Sequence, residues 1–242
     1  MTRLPALHPK VVALAIALAG AAGCASRPAA APASGDGSRP APAAAPLAAV
    51  AGERIVLVPA QRLRDAGALG WLAEAGSPAT YLANLDDEIA FALADRGVGR
   101  GWVMPRDVVR SARRNPTFAT DPHALGVAPL LPGARAPRGG EPLAEPLASE
   151  LRTVVALGDA RYVLVPVELR FERVAAPASA GGITAPGAAA ASGRAILRLA
   201  LVDARAAKVR WSGDVASDPA PRLSPALAAG VAGRVADLVA PR

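Results

Sequence analysis

The stretch Tyr162–Phe171 (YVLVPVELRF) decides the fold. Val163, Val165, Val167, Leu169 and Phe171 fall at every second position, which predicts a β-strand carrying these five on one side. Just before it, Pro146 opens a helix with Leu147, Leu151, Val154 and Val155 on one face, stopped by Gly158. Beyond it, Ala195–Val202 and Lys208–Val215 are two apolar runs a short turn apart, hence a hairpin of strands. Trp211 alternates with Val209 and Val215 there and reads as core. Ser224-Pro225 then gives an N-cap followed by proline at the first helical position, with Leu227, Val231, Val235 and Leu238 lining the last helix.

The same grammar holds upstream. Arg54–Pro59 (RIVLVP) is a short apolar run rich in β-branched residues, a strand. Ser77-Pro78 repeats the cap-plus-proline start, with Asn84 as a second candidate cap. Leu82, Leu85, Ile89 and Leu93 recur at helical spacing as far as Gly97. Gly101–Met104 (GWVM) reads as another strand and Pro105–Arg114 as a helix with Val108, Val109 and Ala112. Residues 115–141 and 175–192, dominated by Pro, Gly, Ala and Ser, read as long loops. The sum is an α/β (α+β) fold: one domain, a mixed sheet of about five strands covered by about four helices.

Composition sets the surroundings of that domain. Of 242 residues 52% are hydrophobic, but 61 are alanine and only 3% aromatic, so the apolar total overstates the core. The net charge of +7 is carried almost wholly by arginine, since Lys10 and Lys208 are the sole lysines. The first residues are an export signal: Arg3 and Lys10, then the apolar run Val11–Ala19, too short for the ~20 residues of a membrane-spanning helix. Ala21-Ala22-Gly23-Cys24 resembles the bacterial lipobox, with Ala21 where leucine is usual. That resemblance implies a signal peptide of residues 1–23 and lipid attachment at Cys24, the only cysteine of the chain. Lipoproteins of this kind are triacylated, which implies firm anchoring, because stable attachment takes more than one chain. Ala25 after the cysteine implies the outer membrane rather than the inner, with the domain facing the periplasm.

Residues 24–51 read as a tether. From Ala25 to Ala51 there are 12 alanines and 5 prolines, with Leu47 and Val50 as the only larger aliphatics. Such a segment has too little apolar area to offset its chain entropy. As a flexible coil it reaches about 30 Å, and fully extended about 80 Å. Residues 52–242 are then the folded domain, with 23 basic and 19 acidic side chains, a net charge of +4. Near balance and the lack of basic–aromatic interleaving exclude nucleic acid as a partner.

Three further stretches carry the resemblance to a family. Val58-Pro59 ends a strand, Ala156–Val165 (ALGDARYVLV) runs from helix into strand, and Leu197–Gly213 (LRLALVDARAAKVRWSG) spans the hairpin. Together they resemble a superfamily of envelope lipoproteins. Its members include the curli-secretion lipoprotein, lipoprotein activators of penicillin-binding proteins and the amino-terminal domain of TolB. Ala206-Ala207 replaces the Thr-Gly usual in the hairpin turn, and the Arg62–Thr80 insertion is longer than the family pattern. These motifs pack a sheet and carry no chemistry.

Candidates for chemistry are few. His123 is the single histidine beyond the leader, and a triad would need a serine and a carboxylate placed beside it in space. Zinc sites of the Cys/His type lack their ligands, and no cofactor or metal is expected. Asp86-Asp87-Glu88 point about 100° apart on a helix and are expected in its first turn after Asn84, where negative charge suits the helix dipole. Gly97–Gly101 ends a helix and opens a strand, the wrong polarity for a nucleotide loop. Arg106, Arg110, Arg113 and Arg114 cluster on one side of a helix, and Trp71 in the insertion is the exposed aromatic expected; these five are the partner-surface candidates. The expectation is a non-catalytic, lipid-anchored adaptor that docks another envelope protein. Two alternatives stand beside it. One is a subunit of a secretion pore, which needs alternating strands of about ten residues where residues 175–192 offer only Ile183 as a large aliphatic. The other is a hydrolase of an envelope glycan or phosphate built on Asp121 and His123.

Overall fold

The computed structural model describes residues 45–117, 121–134, 142–174 and 192–240. Cys24, the leader and most of the tether lie outside these, as do residues 118–120, 135–141 and 175–191 of the two long loops. The packed chain starts ahead of Gly52. Leu47 is 1% exposed and its N–H donates to Leu238 O at 2.9 Å, so the few aliphatics of the tether's last turn belong to the domain.

Five strands form one mixed sheet: β1 (Ile55–Leu57), β2 (Leu63–Asp65), β3 (Tyr162–Val174), β4 (Ser192–Asp203) and β5 (Lys208–Ala216). β3, β4 and β5 are an antiparallel meander, while β1 and β2 both run parallel to β3 along one edge. β2 was not anticipated. Three residues reading Leu-Arg-Asp carry no alternation, and the strand exists because β3 offers it a free edge. Conversely, the strand expected at Gly101–Met104 shrinks to one bridge, Val56 to Val103.

The helices are α1 (Trp71–Glu74), α2 (Pro78–Asp95), α3 (Pro105–Arg114), α4 (Leu147–Gly158) and α5 (Pro225–Val239). Ser77 and Ser224 occupy the N-cap positions with proline following, although neither side chain makes a capping bond. Asn84 is interior to α2. α4 ends on Gly158 because space demands it: a Cβ there would stand 2.6 Å from Val56 Cγ2.

α2 and α5 cover one face of the sheet and α3 and α4 the other. Each face has its own core, and β3 serves both. Here the five-residue alternation is corrected. Val163, Val165 and Val167 point to the α3–α4 side, but Leu169 and Phe171 point to the α2–α5 side. The register between β3 and β4 slips between Pro166 and Glu168, so Val167 is an extra residue and every side chain beyond it changes face. A second slip, between Leu201 and Val202, puts Val209 on the α3–α4 face and Trp211 and Val215 on the other.

The 62–80 insertion folds back over the sheet. Asp65 accepts hydrogen bonds from the N–H of Leu69 (3.2 Å) and Gly70 (2.9 Å), and Gly70 takes a left-handed turn (φ +77°) into α1. This lays Trp71 edge-on against Phe171, with ring centroids 5.5 Å apart. Trp71 is 3% exposed and is core, not partner surface. The physical reason is Gly193 beneath it: a Cβ there would lie 2.7 Å from the indole, so only glycine leaves room for the ring.

Candidate functional site

A groove of about 500 Å³ opens between α2 and α3, and the four arginines expected on one helix face all line it. Its floor is made by Pro59, Ala83, Asp86 and Pro105, with Val109 beside them, and its far wall carries His123.

The floor follows from a break in the sheet edge. β1 and β2 both pair with β3, and between them the chain leaves the ladder at Pro59-Ala60, rejoining it with Gln61 N to Pro166 O at 3.0 Å. The Ala60 N–H thus lacks a strand acceptor. Asp86 Oδ1 takes it at 2.9 Å, which draws this carboxyl into the interior at 5% exposure. Burial, opposed by the Ala60 N–H and reinforced by the neighbouring Asp87 charge, pushes Asp86 up to about 7. The first-turn expectation for Asp86-Asp87-Glu88 is therefore wrong, because α2 begins at Pro78, two turns earlier. The sequence did hold a signal: at 100° per residue Asp86 falls only about 20° beyond the edge of the arc of Leu82, Leu85, Ile89 and Leu93.

Gln61 builds the far wall. Its Nε2 donates to Pro59 O (2.6 Å) and Pro122 O (2.8 Å), and its Oε1 accepts from Leu125 N (2.9 Å). Glu150 Oε2 holds the next turn through Gly126 N at 2.7 Å. Nothing in the sequence marks Gln61 for this role, because Pro122 and Leu125 lie more than 60 residues away. The loop they pin carries His123, whose N–H donates to Asp121 Oδ1 at 3.0 Å and whose exposed ring faces the groove.

Along the α3 wall, charges are unevenly matched. Arg106 pairs with Asp87 across the groove, and Arg110 pairs with Asp107 on its own helix at 2.8 Å. Arg113 and Arg114 are exposed and make no ion pair among the described residues. Among the described residues no serine, threonine or cysteine lines the groove beside His123. What the arrangement can do is hold a negatively charged group against a basic wall, over a floor that is apolar apart from Asp86.

The far end of the sheet pairs its charges across strands. On the α3–α4 face, past Val167, Arg170 bridges Glu172 and Asp214 (both 2.8 Å), Arg194 reaches Glu172 (3.5 Å) and Arg198 reaches Asp214 (3.2 Å). Arg161 and the buried Asp203 (2.6 Å) secure the β4–β5 hairpin, where Ala207 takes the left-handed conformation (φ 51°) that the usual glycine would favour.

The chain matches no protein-family model, and no curated protein matches it. Solved structures do match over much of its length. Escherichia coli LpoB, determined by NMR, is 15% identical with a TM-score of 0.35, covering 86% of this chain and 83% of that one. The PelC dodecamer from Paraburkholderia phytofirmans is 12% identical with a TM-score of 0.35, covering 79% and 90%. Lipoprotein GNA1162 from Neisseria meningitidis is 14% identical with a TM-score of 0.33, covering 78% and 99%. At these distances no family, role or partner passes from these proteins to this chain.

Proposed function

We propose that the chain is a non-catalytic adaptor of the bacterial envelope, lipidated at Cys24, held at the outer membrane with its domain in the periplasm, and docking another envelope protein through the α2–α3 groove. The observation that carries this reading is the row of four arginines on that groove, of which Arg113 and Arg114 have no internal counter-charge among the described residues. Unmatched surface charge steers and orients association, and it is a poor contributor to folding stability. The leader, the lipobox-like Cys24 and the Ala/Pro segment behind it support the address.

Cross-linking in intact envelopes tests it. The native chain should capture an envelope protein, Cys24→Ala should leave the membrane fraction, and Arg113→Glu with Arg114→Glu should lose the captured protein while staying anchored. Capture that is indifferent to the double charge reversal sinks the reading.

A further inference from the structure

We propose that the α2–α3 groove binds an extended acidic segment of the partner protein, its carboxylates paired along Arg106, Arg110, Arg113 and Arg114; this rests on the adaptor reading and gives the partner its chemistry. The spacing fits an extended chain. Steps of four, three and one residues keep the four arginines within an arc of about 100°, and eight residues of helix rise about 12 Å. An extended segment advances about 3.3 Å per residue and returns to the same side every second residue, about 6.6 Å. That interval is close to one helical turn of about 5.4 Å, so acidic residues at alternate positions meet Arg106, Arg110 and the adjacent Arg113–Arg114 pair in turn.

Charge and shape select this occupant. Asp87 and Asp107 each pair with one of Arg106 and Arg110, which would share an incoming carboxylate, whereas Arg113 and Arg114 make no ion pair among the described residues. Arginine's planar fork suits carboxylates, with two parallel N–H donors. The apolar floor of Pro59, Ala83, Pro105 and Val109 gives the segment's aliphatic atoms a surface to lie on. A bilayer of anionic lipid fits less well. The arginines line a groove rather than a flat face, and the adjoining α2 carries Glu88, which repels a negative surface. The chain's own tether does not suit either, since residues 25–44 hold Asp36 as their single acid against Arg27 and Arg39.

Purified full-length protein in detergent can be titrated with a labelled (Glu-Ala)₃ peptide and its (Gln-Ala)₃ counterpart, read by fluorescence anisotropy. The Glu peptide should bind at least tenfold tighter than the Gln peptide, with an affinity that falls as salt rises. Arg113→Glu with Arg114→Glu should weaken it at least tenfold with unchanged thermal melting, and Arg222→Glu, an exposed arginine outside the groove, should leave it unchanged. Equal binding of both peptides, or equal weakening by Arg222→Glu, overturns the inference. So does tighter arginine-dependent binding to phosphatidylglycerol vesicles than to the peptide, which would make the groove a lipid site. If the peptide fails while envelope capture still depends on Arg113 and Arg114, the acidic segment is wrong and the adaptor reading survives.

Discussion

The two faces of the sheet are built from the same strands to different ends. On the α2–α5 face, Leu164, Leu169 and Phe171 of β3 and Leu197, Leu199 and Leu201 of β4 keep an apolar surface beneath Trp71 and the helices. On the α3–α4 face, β3 is apolar only as far as Val167, and past it come Glu168, Arg170 and Glu172. The difference teaches that alternation in one strand can feed two cores when an extra residue reverses its phase. Where no helix covers the second face, cross-strand ion pairs replace packing. The sharpest way to break this comparison is Phe171→Ala. Phe171 is fully buried and meets both Trp71 and Tyr81 edge-on, at 5.5 and 5.7 Å between centroids. Truncation should cost about 3–5 kcal/mol in urea unfolding, the range for a large aromatic removed from a core. A loss under about 1 kcal/mol would mean that the insertion carrying Trp71 does not close that face.

The faces also answer pH in opposite directions. Asp86, below α2, holds its proton to about 7 when folded against 3.8 when unfolded, so the folded chain binds more protons across that window. Its contribution is therefore complete at acid pH, falls as pH rises through the window and levels off above about 7. Three units at 1.36 kcal/mol each set a ceiling on the order of 4 kcal/mol. Asp86→Asn keeps an oxygen for the Ala60 N–H and removes the titration, so its stability should gain on the native chain steadily between pH 4 and 7. Parallel pH profiles for the two would show that Asp86 is charged in the fold. On the other face, hydrogen bonding from Arg170 holds Glu172 below the ordinary carboxylate range. Stability from Glu172 is present at neutral pH and lost as pH falls.

Much of this was legible in the sequence, and the failures share one cause. α3 was read to its exact bounds, and α2, α4, α5 and the hairpin to within a few residues, because each carries a local period or a proline start. The arginine row was legible for the same reason. Its groove was not, since Pro59, Asp86 and His123 come from segments far apart in the chain and meet only through Gln61 and the Ala60 N–H. Trp71 was misplaced because exposure of an inserted aromatic depends on what lies beneath it, here Gly193, more than 120 residues on. The phase reversal at Val167 is marked in the sequence only by Pro166, which has no N–H for the ladder and in an interior strand points to a bulge, and the pairing with β4 is what reveals the reversed faces.

The smallest expected effect separates packing from pairing on the ladder side. The Arg170 side chain is 14% exposed and bridges Glu172 and Asp214, yet each carboxylate keeps a second arginine, Arg194 and Arg198 respectively. Arg170→Met preserves the aliphatic stem that lies on the sheet and leaves neither acid unpaired. Its cost at neutral pH should be about 1 kcal/mol, since partly exposed ion pairs contribute little. The acid side is more telling. Burial pushes Asp214 up, and hydrogen bonds from Arg170 and Arg198 more than offset it, so its carboxyl sits below the ordinary value. Without Arg170, both Glu172 and Asp214 should titrate higher, and the acid-unfolding midpoint followed by circular dichroism should move to higher pH. A loss comparable to that of Phe171→Ala would show that the charged ladder, like the leucine face, is held by burial; an unmoved acid midpoint would show that Arg170 only fills space.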